Sequence, residues 1–131
     1  VHKQEKIAIL HMFQELALAR GFRFTLLSGD VHVAGLGRIC SAPKSNLRTD
    51  HRFMPQIISS AIGNAPPPNA VVKALAASAK TKDLDAHTHE MLLHVFDDQK
   101  MFAARRNWCL IEERPLVSGA PTSDGSLIFQ L

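Results

Sequence analysis

The chain has 131 residues, 46% hydrophobic and 21% charged, a balance that suits one folded domain and argues against a disordered or fibrous chain. A net charge of +3 suits an anionic partner such as a phosphate ester, but no basic helix or basic-aromatic interleaving points to nucleic acid. Charged residues or prolines interrupt every apolar run before membrane-spanning length, and the polar start Val1–Lys6 does not read as a secretory leader.

In chain order, the first predicted element is an amphipathic helix. Ile9, Met12, Phe13 and Leu16 fall on one face at helical spacing, and Gly21 is expected to end it in a left-handed cap. Phe22–Leu27 reads as a buried strand that runs into Ser28-Gly29-Asp30, where glycine is expected to permit a sharp turn. A second strand is expected over Val31–Cys40. Residues 41–54, with Pro43, read as a surface loop in which Lys44, Arg48 and Arg52 are solvated. Pro55–Ile62 is a further buried strand, expected to neighbour the first in one sheet because both runs are continuously apolar. Gly63-Asn64-Ala65 and Pro66–Pro68 stop it. A helix then starts near Pro68, with Val71, Val72, Leu75 and Ala79 available for packing. Residues 80–104 read as irregular or partly helical. Asn107–Glu112 is a strand candidate, Asp124-Gly125 a turn, and Ser126–Leu131 a final strand. Helices mixed with buried strands make this an α/β fold, with residues 1–131 a single domain or an incomplete part of one.

The stretch with most chemical content is Leu26-Leu27-Ser28-Gly29-Asp30-Val31-His32. An apolar strand delivers a carboxylate and an imidazole two positions apart at its end, where a sheet holds reactive groups rigid. Oxygen and nitrogen donors together suit zinc, iron or manganese, and side chains at i and i+2 of a strand share a face. The competing reading is a structural turn in which Asp30 caps backbone amides and His32 is a buried polar residue.

Ser28–Arg38 resembles the Gly-Asp-Val-His segment of the PhoD-like phosphatases, a branch of the calcineurin-like metallophosphatase superfamily. Phe53–Pro68, Arg105-Arg106-Asn107-Trp108-Cys109 and Thr122–Leu127 resemble the same family in the same order, closest to its large fungal members. The resemblance implies a layered sandwich of helices and mixed β-sheet, and a two-metal centre that hydrolyses phosphate mono- or diesters. The ions implied are divalent or trivalent, with iron, calcium, zinc and manganese all open. It makes His32 the foremost metal ligand and Asp30 a ligand or the group that orients His32, and both catalytic. Arg38 and Asn64 are additional candidates to face that centre.

Family motifs of the types Asp-x-His, Gly-Asp-x-x-Asp and Gly-Asn-His-Glu are missing. A single helix precedes Phe22, and Ala65 follows Gly63-Asn64 where histidine would stand. The chain is therefore expected to be the C-terminal portion of such an enzyme, inactive alone and prone to self-association through exposed sheet. The alternative is a stand-alone, non-catalytic interaction domain derived from the same fold.

Weaker signals have bland readings. Asp83, Asp85, His87, His89 and Glu90 could bind zinc on extended backbone, but read first as a solvated loop. Arg105-Arg106 reads as a surface pair, Trp108 as a core or rim aromatic, and His11 and His94 as ordinary packing or surface residues. Cys40 and Cys109 lack zinc or redox spacing and fit buried thiols in a reducing, intracellular and cytoplasmic setting. No Gly-x-Ser-x-Gly, P-loop or dinucleotide fingerprint occurs.

Overall fold

The computed structural model describes residues 2–30, 32–43, 46–114 and 126–131. Its elements are α1 (Lys3–Arg20), β1 (Leu26–Asp30), β2 (Ala34–Ser41), β3 (Met54–Ser60), α2 (Asn69–Ser78), β4 (Lys82–Asp85), β5 (Thr88–Leu92), β6 (Phe102–Ala103), β7 (Leu110–Glu113) and β8 (Leu127–Gln130). One mixed sheet has the order β1-β3-β2-β5-β4, and β6 pairs with the start of β2. Strands β7 and β8 form a separate antiparallel pair. Helices combined with parallel and antiparallel strands make this an α/β fold, as the sequence indicates.

Strand β2 is the axis of the sheet. One edge pairs antiparallel with β3, and the other pairs with β6 at Ala34–Gly35 and then with β5 from Gly37 onward. With both edges occupied its backbone is satisfied, and Ala34 and Ile39 are wholly buried. Ile39, Met54 and Leu10 of α1 form the core, with Phe13, Phe24, Leu26 and Leu84 packed around them. Each large apolar side chain buried there stabilises the fold by about 1.5–3 kcal/mol. Gly37 owes its identity to close approach: a Cβ there would lie 2.6 Å from Gln56 Oε1 and 3.0 Å from the Met91 carbonyl oxygen.

Helix α1 ends as expected. Gly21 takes φ 68°, and its N–H donates to the carbonyl of Ala17. The docked face is different from the one anticipated. Leu10, Gln14 and Ala17 are buried and Phe13 stacks on Phe24 at 4.7 Å, whereas Ile9, Met12 and Leu16 are 51%, 50% and 39% exposed. The helix carries two apolar stripes. The one that docks is accompanied by Lys6, which bonds Glu90 at 2.7 Å, and His11, which bonds Asp85 at 2.6 Å.

Five further expectations are corrected. Strands β1 and β3 are neighbours, paired in parallel from Leu26↔Gln56 to Asp30↔Ser60, but β1 is an edge strand and Leu27 is 57% exposed. Gly29 lies inside that ladder opposite Ser59 and makes no turn. Residues 80–104, expected to be irregular or partly helical, hold the β4–β5 hairpin and β6, with a single 3-10 turn at Asp97–Gln99 as their one helical piece among the described residues. Helix α2 begins after Pro68 as expected but has no buried residue, with Val71 and Leu75 exposed. Trp108 is exposed as well. Lys44 and the Asp124-Gly125 turn lie outside the described residues. Among the described residues no helix is long and apolar enough to cross a membrane.

Glu90 ties three elements together: it accepts from Lys6 of α1 and from Gln56 Nε2 of β3 at 2.9 Å. Burial pushes its carboxyl pKa up, but the bonds and charge from Lys6 and Gln56 outweigh burial and hold it below the ordinary value. A lowered folded-state pKa gives stability that is present above the unfolded pKa and lost as pH falls through the folded one. Replacing Glu90→Gln is expected to lower stability at neutral pH by about 1 kcal/mol, a figure discounted because Lys6 is half-exposed. The variant should also lose less stability between neutral and acid pH than the parent. Urea midpoints across that range check both.

Candidate functional site at the end of the parallel strands

The sheet order dictates where Asp30 and His32 lie. Strands β1 and β3 run parallel and end together at Asp30 and Ser60, whereas β2 runs antiparallel on the far side of β3. The short connection from β1 to β2 must therefore cross the C-terminal end of β3. Asp30 starts that crossing, and His32 and Val33 bring it to Ala34.

Asp30 shapes the crossing with its own side chain. Its Oδ1 accepts the backbone N–H of His32 at 2.8 Å and of Val33 at 2.9 Å, an Asx turn that satisfies two amides with one carboxylate oxygen. Asp30 and His32 are both exposed. The turn expected of Asp30 as a structural residue is thus formed, but His32 is not the buried residue that reading required.

Against the end of β3 sits Asn107, only 7% exposed. Its Oδ1 accepts the backbone N–H of Ser60 at 2.8 Å and the Ser59 hydroxyl at 3.2 Å. Its Nδ2 is buried with no hydrogen-bond partner among the described residues. Asn107 therefore braces the last two residues of β3 from within the fold. Asn64 lies nearby in the chain path, its carbonyl accepting Arg106 Nε at 3.2 Å.

Arg38 is not brought to this end. It stands opposite Pro55 in the ladder, five residues or about 16 Å before Ser60, and its Nε faces Met91 Sδ at 3.3 Å. The acidic-histidine cluster is dispersed into internal pairs. His89 bonds Asp83, Asp85 receives His11 and the N–H of His87, and Glu90 receives Lys6. Burial raises the Asp85 pKa, but these hydrogen bonds outweigh it and the net direction is down. Among the described residues no three His, Cys, Asp or Glu side chains converge as a metal would need. Asp30 and His32 supply one oxygen and one nitrogen donor, chemistry that fits a transition metal but leaves its coordination incomplete. Both cysteines are free, and burial pushes the Cys40 thiol pKa up, which makes it a poor nucleophile.

Two residues went unnoticed in the sequence. Asp50 is buried and closes the loop after β2, accepting the Ser41 N–H at 2.9 Å, the Ser41 hydroxyl at 2.8 Å and the Arg52 N–H at 3.0 Å. Asn107 is the other. The local sequence marked it only as a member of the Arg105–Cys109 stretch and as the start of a strand that in fact begins at Leu110.

The brace makes a direct expectation. Asn107→Leu removes the acceptor from Ser60 and leaves its buried N–H unpaired, which costs about 1–3 kcal/mol. Chemical unfolding checks it, and an unchanged midpoint would show that the brace does not hold the end of β3.

The chain is similar to Uncharacterized protein YGR266W of Saccharomyces cerevisiae, 31% identical over 134 residues, covering 82% of this chain and 19% of that protein. The chain thus spans about a fifth of the length of the curated relative it matches. No solved structure matches it. The family described as PhoD related phosphatase matches residues 2–118, which takes in both helices, the whole mixed sheet and the Asp30–His32 crossing; the chain belongs to that family.

Proposed function

We propose that this chain contributes one corner of the metal centre of a PhoD-related phosphatase, with Asp30 and His32 as its ligands and phosphate mono- or diesters as its substrates. The observation that carries the reading is the crossing over β3, which exposes a carboxylate and an imidazole together at the end of a parallel strand pair. Bound metal ions would activate water and neutralise charge on the phosphoryl oxygens. The Asx turn fixes the Asp30 carboxylate through Oδ1, so that the group is held ready at small entropic cost. The exposed His32 ring is open to an ion from solvent. Asn107 is buried and acts only by holding Ser59 and Ser60 at the end of β3, beside the crossing.

The remaining ligands come from outside these residues, because two side chains do not satisfy a metal ion. The surface suits such an arrangement. Ile9, Met12 and Leu16 form an exposed apolar stripe on α1, and β1 is an open strand edge with Leu27 exposed. That same surface gives the non-catalytic reading its one supporting observation, since a partner-binding module would show it too.

The 131-residue chain alone should therefore turn over an aryl phosphate at background rate. Robust metal-dependent hydrolysis abolished by His32→Ala would contradict the shared-site reading. In a polypeptide that carries the other ligands, His32→Ala should lower bound metal and activity together while moving the unfolding midpoint by less than about 0.5 kcal/mol, as for an exposed side chain. Asp30→Asn keeps the Oδ1 acceptor and hence the turn, so it should lower metal content without unfolding the crossing. Asp30→Ala loses the turn as well, at about 1 kcal/mol. Unchanged metal content in both His32→Ala and Asp30→Asn would leave only the structural role.

A further inference from the structure

Helix α2 presents an unusual combination. It is ten residues long, mostly apolar, and none of its residues is buried. Isolated helices of that length are marginal in water and depend on packing for their stability. Between α2 and the segment 94–105 lies a cavity of 580 Å³, within the range of small-molecule sites. Its apolar lining comes from Val72 and Ala76 on the helix and from Phe96, Met101 and Phe102 opposite. Met101 is buried and supplies the floor.

The charged lining is asymmetric. Lys73, Lys100 and Arg105 face the cavity against one carboxylate, Asp97. Lys100 bonds Asp98 at 3.2 Å and Arg105 approaches Asp97 at 3.7 Å, so both have partners. Among the described residues Lys73 has no ion-pair partner. The wall opposite is stiffened by two consecutive non-glycine residues in the left-handed region, Asp98 at φ 56° and Gln99 at φ 59°. The Phe96–Lys100 bridge closes that loop, and the Gln99 carbonyl lies 3.1 Å from His94 Nδ1. Strain of this kind persists only where surrounding structure holds it, and it clusters at ligand clamps.

We propose that this cavity binds an amphipathic anion, with an alkyl chain lying between α2 and the Phe96–Phe102 wall and its anionic head on the Lys73 ammonium. Neither half of such a ligand suffices. The apolar lining gains from covering an aliphatic body, while the one unpaired ammonium selects a negative head over a neutral or cationic one. The ligand also supplies the packing that α2 lacks, so binding and ordering of the helix are coupled. This site is separate from the Asp30–His32 crossing and does not require that the chain hydrolyse anything.

Titration of the full chain with octyl phosphate and with octanoate, both below their micellar concentrations, tests the proposal. Calorimetry should show both binding, and 1-octanol and inorganic phosphate each binding at least about tenfold more weakly, a charge-assisted contact or the apolar body being lost in turn. Lys73→Ala should weaken octyl phosphate by about tenfold, and Lys73→Arg should restore it. Ala76→Trp should fill the groove and abolish binding. Val72→Asp, on the same face, should do so too should the larger side chain perturb α2. Amide exchange across residues 69–78 should slow on ligand addition while β2 and β3 stay unchanged. Equal affinity for octanol and octyl phosphate would overturn the proposal, as would unaltered binding in Lys73→Ala. Binding only to vesicles of anionic phospholipid would also overturn it, since the ligand would then be a membrane surface.

Discussion

Full pairing of β2 on both edges is the constraint from which the rest follows. A strand with Ile39 and Ala34 wholly buried and neighbours on either side cannot move without breaking two ladders at once. Its direction is opposite to β3, while β1 runs with β3. The chain therefore has to pass over the end of β3 between Asp30 and Ala34. That passage sets an ionisable pair at one end of the sheet; the Asp30 carboxylate secures the passage itself, and the Asn107 amide secures the end of β3 that it crosses. The chemistry of the site is a consequence of strand order before it is a consequence of any single residue.

Some of this was legible in the sequence for local reasons. Gly21 ends α1 because glycine tolerates φ 68°, and Pro68 precedes α2 because proline suits a helix start. Ile57 and Ile58 announce β3 by apolar content, and the neighbourhood of the two apolar runs followed from it, but β1 is an open edge that starts only at Leu26, leaving Phe22–Thr25 outside the ladder. The charged hairpin was illegible. Lys82, Asp83, Asp85, His89 and Glu90 give no apolar alternation, because several of their side chains are spent on pairs with α1, β3 and one another. The docked face of α1 was hidden for a related reason. Ile9, Met12 and Leu16 are as apolar as the face that packs, and that face is distinguished by partners far away in sequence: the core around Leu10 and Phe13, and the hairpin carboxylates that meet Lys6 and His11. Asn107 had no local signature, since its partners lie 47 and 48 residues away.

The same pairs explain why the richest cluster of metal-binding side chains is not the candidate site. A histidine engaged by an aspartate, or a glutamate held by a lysine, must give up that partner before it can bind an ion. Asp30 keeps its second carboxylate oxygen, and His32 its ring, out of such bonds among the described residues. The PhoD related phosphatase match over residues 2–118 takes in the crossing and the hairpin alike, so the preference for the crossing rests on these pairs.

The most direct measurement is paramagnetic broadening of the backbone amide spectrum by Mn²⁺, which detects a weak, incomplete site without requiring turnover. The crossing account predicts that broadening centres on Asp30, His32, Ser60 and Asn107, and that His32→Ala removes it. Broadening centred instead on Asp83, His87 and His89, or a pattern unaltered by His32→Ala, would contradict it.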